Sequence, residues 1–245
     1  NELPSQDEAG GTVVLAGVPA HGVVTIYKSG RAPKAAKAVS GRLVLENELV
    51  RYEFRKDGCI TSAYDKECGR ELVSGDDFCN RLSLYGDYPN RYDAWDIDQF
   101  YESQFVEHAR AVDCSKASSG NVRSGIVFEL EIGNSTITQE AVLHHHSKRL
   151  DFKTTVNWRE DHHMLRVAFP LNLSSNTRAL FDMQYSHVER PSHRNTSWDA
   201  TKFEVVAHKY ADISEPDYGA AILNNCKYGH KVFNNVLDLN LQLFR

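Results

Sequence analysis

No window of the 245 residues approaches the roughly 20 consecutive apolar residues that a bilayer-spanning helix requires; the longest apolar stretches are of the kind GTVVLAG and YGAAIL. Runs of five or six like charges are also missing, and the formal net charge is -5, which leaves no basic field for a phosphate backbone. Membrane and nucleic acid are therefore set aside as partners, and a soluble chain is expected. Cysteine is sparse: Cys59, Cys68, Cys79, Cys114 and Cys226 form an odd, widely spaced set without a CxxC pair. That argues against a complete disulfide framework or a zinc knuckle and for reduced thiols. Helical periodicity is absent from every long window.

What is present is alternation. In LVRYEFR, Val50, Tyr52 and Phe54 face one way and Arg51, Glu53 and Arg55 the other, as in a half-buried strand. IVFELEI repeats this with Ile126, Phe128, Leu130 and Ile132, and LDLNLQL sets Leu237, Leu239, Leu241 and Leu243 against Asp238, Asn240 and Gln242. Further strands are predicted in TVVLA, VVTIY, CITSAYD, QFVEHARAV, LDFKTTVNW, LRVAFPL, FDMQYS and KFEVVAH, with turns at KDG, SGDD, SSGN and SEPDYG. The expected class is all-β and antiparallel, with two large packed sheets. SGRAPKAAKAVSG, around residues 29 to 41, is poor in strand formers and reads as a linker or loop. The division is residues 1–40, a leading β segment and linker, and 41–245, the main β region.

Two polar, aromatic stretches exceed what turns need. YGDYPNRYDAWDIDQFYE, residues 85 to 102, interleaves Asp87, Asp93, Asp96, Asp98 and Glu102 with six aromatics including Trp95. HVERPSHRNTSWD, residues 187 to 199, gathers two arginines, two histidines, Glu189, Asp199 and Trp198. Aromatic faces stack on the C–H surfaces of sugars while charged groups take hydroxyl pairs, so such loops suit carbohydrate. The plainer alternative is a structural corner fixed by Pro191 and ordered by tryptophan and ion pairs. His144 and His146 share a strand face, and His162 and His163 follow WRED, but neither pair has a carboxylate or cysteine at ligand spacing. No metal site is expected. Three sequons, at Asn134, Asn172 and Asn195, are present, and such triplets arise easily by chance.

VERPSHRNTSWDATKFEVVAHKYADISEPDYGAAILNNCKYG resembles a segment of glycoside hydrolase family 38 α-mannosidases, most closely the cytosolic and vacuolar branch. YPNRYDAWDID is similar to that branch's DAWD loop, and LDFKTTVNWREDHHMLRVAFPLN to a further segment. Together the matches run from about Gly41 to Leu243. Ser192, Asn225 and Asn157 depart from the family's usual Thr, Asp and Asp.

The resemblance implies the carboxyl-terminal β region, a supersandwich of the galactose-mutarotase type, truncated at both ends. The chain starts at NELPSQDEAGG without initiator Met or signal peptide and stops at LDLNLQLFR, which reads as a fragment. The family's preceding α/β domain and helical bundle carry the nucleophilic Asp, the acid/base carboxylate and the ligands of a catalytic zinc. No catalytic residue and no cofactor are therefore expected in this chain, and zinc belongs to the parent's catalytic domain. The parent reaction implied is retaining hydrolysis of terminal α-mannosides.

The partners implied are mannosides or oligomannose glycans and the parent's own catalytic domain, with self-association into a homo-oligomer left open. The location implied is cytoplasmic or of the vacuolar and lysosomal type. Loops of the β region would help close the sugar pocket, with Arg190 bridging hydroxyls and Trp95 or Trp198 stacking. Asp93, Asp96 and Asp199 would orient arginines or accept hydroxyl protons, and His193 completes the substrate-binding set. A stand-alone carbohydrate-binding β-sandwich and a mutarotase-like epimerase using a His acid and a Glu base are the alternatives.

Overall fold

The computed structural model describes residues 3–8, 10–27, 43–92, 95–174 and 178–241, side chains at 116–118 excepted. The linker expected at 29 to 41, and Asp93, lie outside them. The alternation of Ile126, Phe128, Leu130 and Ile132 puts all four side chains on the buried face of the strand Arg123–Ile132. With Arg110–Ser119, Ser135–His144 and Leu150–Asn157 it forms a four-stranded meander in which each strand pairs antiparallel with the next. A second meander, Val44–Glu46, Val50–Phe54, Ile60–Asp65 and Arg70–Glu71, is built the same way.

A six-stranded sheet takes its strands from far apart in the chain, in the order Val205–Val206, Gly229–Phe233, Val236–Asn240, His163–Pro170, Arg81–Gly86, Phe105–His108. The fourth large sheet runs Ser186–Pro191, Arg178–Met183, Tyr210–Ser214, Gly219–Leu223, and a hairpin, Ser5–Glu8 with Gly11–Val14, stands apart. Every pairing is antiparallel, so the all-β, antiparallel class holds. The two expected sheets are instead five hydrogen-bonded sheets among the described residues. The alternation that predicts strands says nothing about where the chain changes partners. At Ala109, for example, it leaves the six-stranded sheet, its N–H still bonded to Leu82 O, and enters the first meander.

Two predicted strands differ. VVTIY forms none, and its Val23 and Tyr27 side chains lie in solvent with no sheet to pack on. In KFEVVAH only Val205–Val206 pairs. The strand read from LDLNLQL also departs from a half-exposed pattern, because Asp238 and Asn240 are buried along with Leu237 and Leu239. It lies between two neighbours in the middle of its sheet, and its polar face is covered by loops.

One apolar core joins the four large sheets, with Phe54, Ile60, Leu84, Leu165, Phe128, Ile137, Phe181, Ile213 and Leu237 among its members. Phe54 and Phe128 meet across two sheets at 5.6 Å between ring centres. The leading hairpin is hooked onto this body by Gln6, fully buried, whose Oε1 accepts from the N–H groups of Val122 (2.9 Å) and Arg123 (2.8 Å). Glu8 adds an ion pair with Arg123.

The turn between Ile132 and Ser135 has Gly133 at φ +56°, a region that side-chain-bearing residues enter at a cost. The Glu160 carboxylate caps it, accepting from Asn134 N–H (2.5 Å) and Ser135 Oγ–H (3.0 Å). A Cβ on Gly133 would stand 2.7 Å from Glu160 Oε1. Gly133→Ala is therefore expected to lower stability by about 1 to 3 kcal/mol, read as a fall in urea midpoint. An unchanged midpoint would show that the turn has another conformation.

Candidate functional site

The polar face of the six-stranded sheet carries the site. Arg166, on His163–Pro170, is 1% exposed, although strand alternation alone would send it to solvent. Its Nε–H donates to Asp238 Oδ1 at 2.8 Å and its Nη1 lies 2.9 Å from Glu204 Oε2. Its guanidinium sits 5.0 Å from the Tyr101 ring centre. Burial works against the charge on Arg166, but Asp238 and Glu204 outweigh it and hold its pKa above the ordinary value. Burial raises Glu204 above the usual carboxylate range, with Arg166 acting the other way. Asn240 Nδ2–H donates to its Oε1 at 3.3 Å.

From Asp238 the chain of charges continues outward. Lys231 Nζ is 3.6 Å from Asp238 Oδ2 and donates to Glu102 Oε1 at 3.2 Å. Glu102 also receives Arg194 in a fork, Nη1–H to Oε2 and Nη2–H to Oε1, both 2.6 Å. Burial would raise the pKa of Glu102; the Arg194 hydrogen bonds and the nearby Lys231 charge outweigh that and hold it below its ordinary value. Arg194, Glu102, Lys231, Asp238, Arg166 and Glu204 thus alternate in sign from the loop surface to the sheet interior. Glu102 comes from one of the two unusual loops, and Arg194 and Glu204 come from the other and its continuation. The network fastens both to the same sheet.

Local structure aims these side chains. In the first loop the 3-10 helix Gln99–Ser103 turns Tyr101 inward, edge-on to Tyr85 at 5.8 Å, and leaves Glu102 beside Lys231. Upstream, Tyr88 stacks on His162 at 5.5 Å and Asp98 Oδ2 accepts from Asn90 N–H at 2.7 Å. In the second loop Thr196 is the N-cap of the one-turn helix Ser197–Ala200, its Oγ1 accepting from Asp199 N–H at 3.1 Å. Arg194 lies over Phe233, 4.6 Å from the ring centre.

The sequence-predicted residues fall around this frame. Trp95 is 87% and Trp198 74% exposed, and Asp96 is exposed with its N–H bonded to Tyr92 O at 2.9 Å. Asp199 accepts from Thr196 Oγ1–H at 2.7 Å, which holds its pKa below the usual range, and it lies 3.8 Å from His193 Nδ1 and 3.7 Å from Lys202 Nζ. His193 Nδ1 accepts from Asn195 N–H at 3.3 Å. Arg190 donates from Nη1 to Val206 O at 2.9 Å and lies over Phe181 at 4.9 Å; burial lowers its pKa. Asp93 lies outside the described residues. Of the two arginines in HVERPSHRNTSWD, the one held by a carboxylate is Arg194, by Glu102, while Asp199 orders its own helix turn.

Sequence reasoning missed Arg194, Glu102, Lys231, Arg166, Glu204 and Asp238. Arg194 and Glu102 stood inside the quoted stretches, but nothing in one sequence pairs residues 92 positions apart. Among the described residues no three His, Cys, Asp or Glu side chains converge as metal ligands. His144 Nε2 lies 3.8 Å from Asp151 Oδ2. The donors needed for a catalytic zinc are not assembled there. No helix among the described residues is long and apolar enough to cross a membrane.

Residues 45–243 match the family described as the glycosyl hydrolases family 38 C-terminal domain. The chain belongs to this family. This family 38 C-terminal domain is 38% identical over 203 residues to alpha-mannosidase 2C1 of Mus musculus, covering 82% of this chain and 19% of that protein. It is 36% identical over 208 residues to alpha-mannosidase G of Dictyostelium discoideum, with the same coverages, and 34% identical to an alpha-mannosidase of Saccharomyces cerevisiae, covering 76% and 18%. It thus spans about a fifth of the length of these relatives. Among solved structures, a family 38 glycosyl hydrolase protein from Enterococcus faecalis superposes with a TM-score of 0.70 at 16% identity, covering 87% of this chain and 28% of that one. An alpha-mannosidase from the same organism gives 0.67, also at 16%, covering 86% and 27%. These likenesses support the β fold.

Glu102 and Glu204 respond to pH with opposite sign. The folded pKa of Glu102 is depressed, so its contribution is complete above the unfolded glutamate value and is lost as pH falls through the folded one. Glu204 is raised, so its ionisation opposes folding and a fall in pH relieves that cost. Glu102→Gln is expected to cost about 1 to 3 kcal/mol at pH 7, a deficit that shrinks below pH of about 4.3. Urea midpoints of both proteins across that range test this. A deficit independent of pH would remove the charged fork as its cause.

Proposed function

We propose that this chain is the non-catalytic carboxyl-terminal part of a retaining α-mannosidase, with its two clamped loops packing against the catalytic domain and helping to close the sugar pocket. The observation that carries this reading is the double attachment of the loops through Glu102 and Arg194 while Trp95 and Trp198 remain outside, unburied by anything in their own domain. Large aromatic rings held in solvent on a rigid frame suit a sugar or an apposed protein surface. Arg190, Asp93, Asp96, His193 and Asp199 are the polar members of the substrate-facing set. The partners are mannosides or oligomannose glycans and the parent's catalytic domain, which brings the nucleophile, the acid/base carboxylate and the zinc.

The finer fold assignment is the galactose-mutarotase-like supersandwich, supported by the family and by the likeness to the Enterococcus faecalis structures. The location that goes with the resemblance of the sequence is cytoplasmic, or of the vacuolar and lysosomal type.

Purified alone, the chain is expected to hydrolyse no aryl α-mannoside, with or without added zinc, whereas the full-length protein does. Turnover by the isolated chain above a buffer blank would overturn the non-catalytic assignment, and an inactive full-length protein would overturn the reaction.

In the full-length protein Trp95→Ala and Trp198→Ala are each expected to lower kcat/KM about tenfold, or about 1.4 kcal/mol. Their exposure predicts an unchanged Tm for the isolated domain. Arg190→Ala separates the roles of that residue: lost kcat/KM at constant Tm places it on substrate, and a matching loss of both leaves it as the tie to Val206. Full activity in both tryptophan variants would detach the loops from the sugar pocket.

A further inference from the structure

Away from these loops, a groove of about 860 Å³ opens where the chain crosses from the six-stranded sheet into the first meander, beside Ala109. Arg55, Lys56, Arg81 and Arg110 line it with Asp57, while Asp77 and Glu107 pair with Arg81 and Arg110 from outside the lining, so four cations face three carboxylates in a chain whose net charge is -5. Phe54 and Leu82 supply apolar wall. The two central arginines are organised around one ring. Arg55 lies 4.6 Å and Arg81 5.1 Å from the Phe78 centre, and each is steadied by one aspartate, Arg55 Nη2 to Asp57 at 2.9 Å and Arg81 Nη2 to Asp77 at 2.7 Å. Each aspartate is bonded through one nitrogen of a guanidinium that has five N–H donors, so most of the fork remains for a ligand.

His108 closes one side. Its Nδ1 is 2.9 Å from Ser83 Oγ and its ring packs on Phe105 at 4.7 Å. Burial, with the Arg81 charge adding to it, lowers its pKa, so this wall of the groove resists taking up a further positive charge. The volume lies in the range of small-molecule sites. Planar forks of this kind match phosphate oxygens in pairs, and the apolar wall accepts the carbon face of a ring.

We propose that this groove binds an organic phosphate of about hexose size, its phosphate on Arg55 and Arg81 with Lys56 and Arg110 adding field, at a site separate from the aromatic loops. The inference is independent of the mannosidase reading.

The test is calorimetric titration of the full-length protein with a hexose monophosphate, with the free hexose and inorganic phosphate as controls. Expected are saturable binding of the hexose phosphate, weaker binding of phosphate alone, none of the free hexose, and affinity that falls with salt. Arg55→Gln with Arg81→Gln should weaken binding at least tenfold. Arg110→Gln, at a more exposed side chain, should weaken it severalfold and serves if the double variant does not fold. Equal affinity in a folded variant, equal binding of the free hexose, or binding by the isolated chain but not by the full-length protein would overturn the site, the last because the rest of the polypeptide then fills the groove.

Discussion

A guanidinium with almost no contact with water organises the six-stranded sheet. Arg166 has lost its hydration, and the two carboxylates beside it, with the Tyr101 ring, make that tolerable; removing one carboxylate from such a buried group costs on the order of 3 to 5 kcal/mol. Asp238 comes from the adjacent strand and is fixed by sheet register, Arg166 opposing Asn240 and Ala168 opposing Asp238. Glu204 comes from a loop, so neutralising Arg166 requires that loop to stay down. The sheet's polar face therefore demands its cover, and the cover is the second of the two unusual loops.

The same logic extends outward with declining cost. Lys231 and Asp238 share charge at 3.6 Å, Glu102 meets Lys231 at 3.2 Å, and the Glu102 and Arg194 fork lies where water begins to compete. Inner links set where the loops sit, and outer links set how they face each other. Exposed ion pairs contribute little individually, but in this network each outer pair is aimed by an inner one. Trp95 and Trp198 are carried by loops anchored from below rather than by packing around the rings.

Strand content was legible because period-two alternation is a local property, as Ile126 to Ile132 and Val50 to Phe54 illustrate. The five-sheet arrangement was not, since partner changes such as the one at Ala109 depend on pairings distant in sequence. Alternation also misled at Arg166, Asp238 and Asn240, where polar residues opposite an apolar row signal solvent unless another segment covers them. The crowding of charge and aromatics marked both loops, but not that Arg194 rather than its neighbour Arg190 is paired with a carboxylate. Composition cannot tell which of two nearby arginines meets a carboxylate 92 residues earlier.

That long-range fork has a hereditary consequence. Glu102 and Arg194 form the fork only together, so the two loops make one unit of exchange despite the strands between them. A chimera drawing its first loop from one homologue and its second from another keeps the fork only where both parents share the pairing. Where they differ, two correct loops meet as strangers over the same sheet.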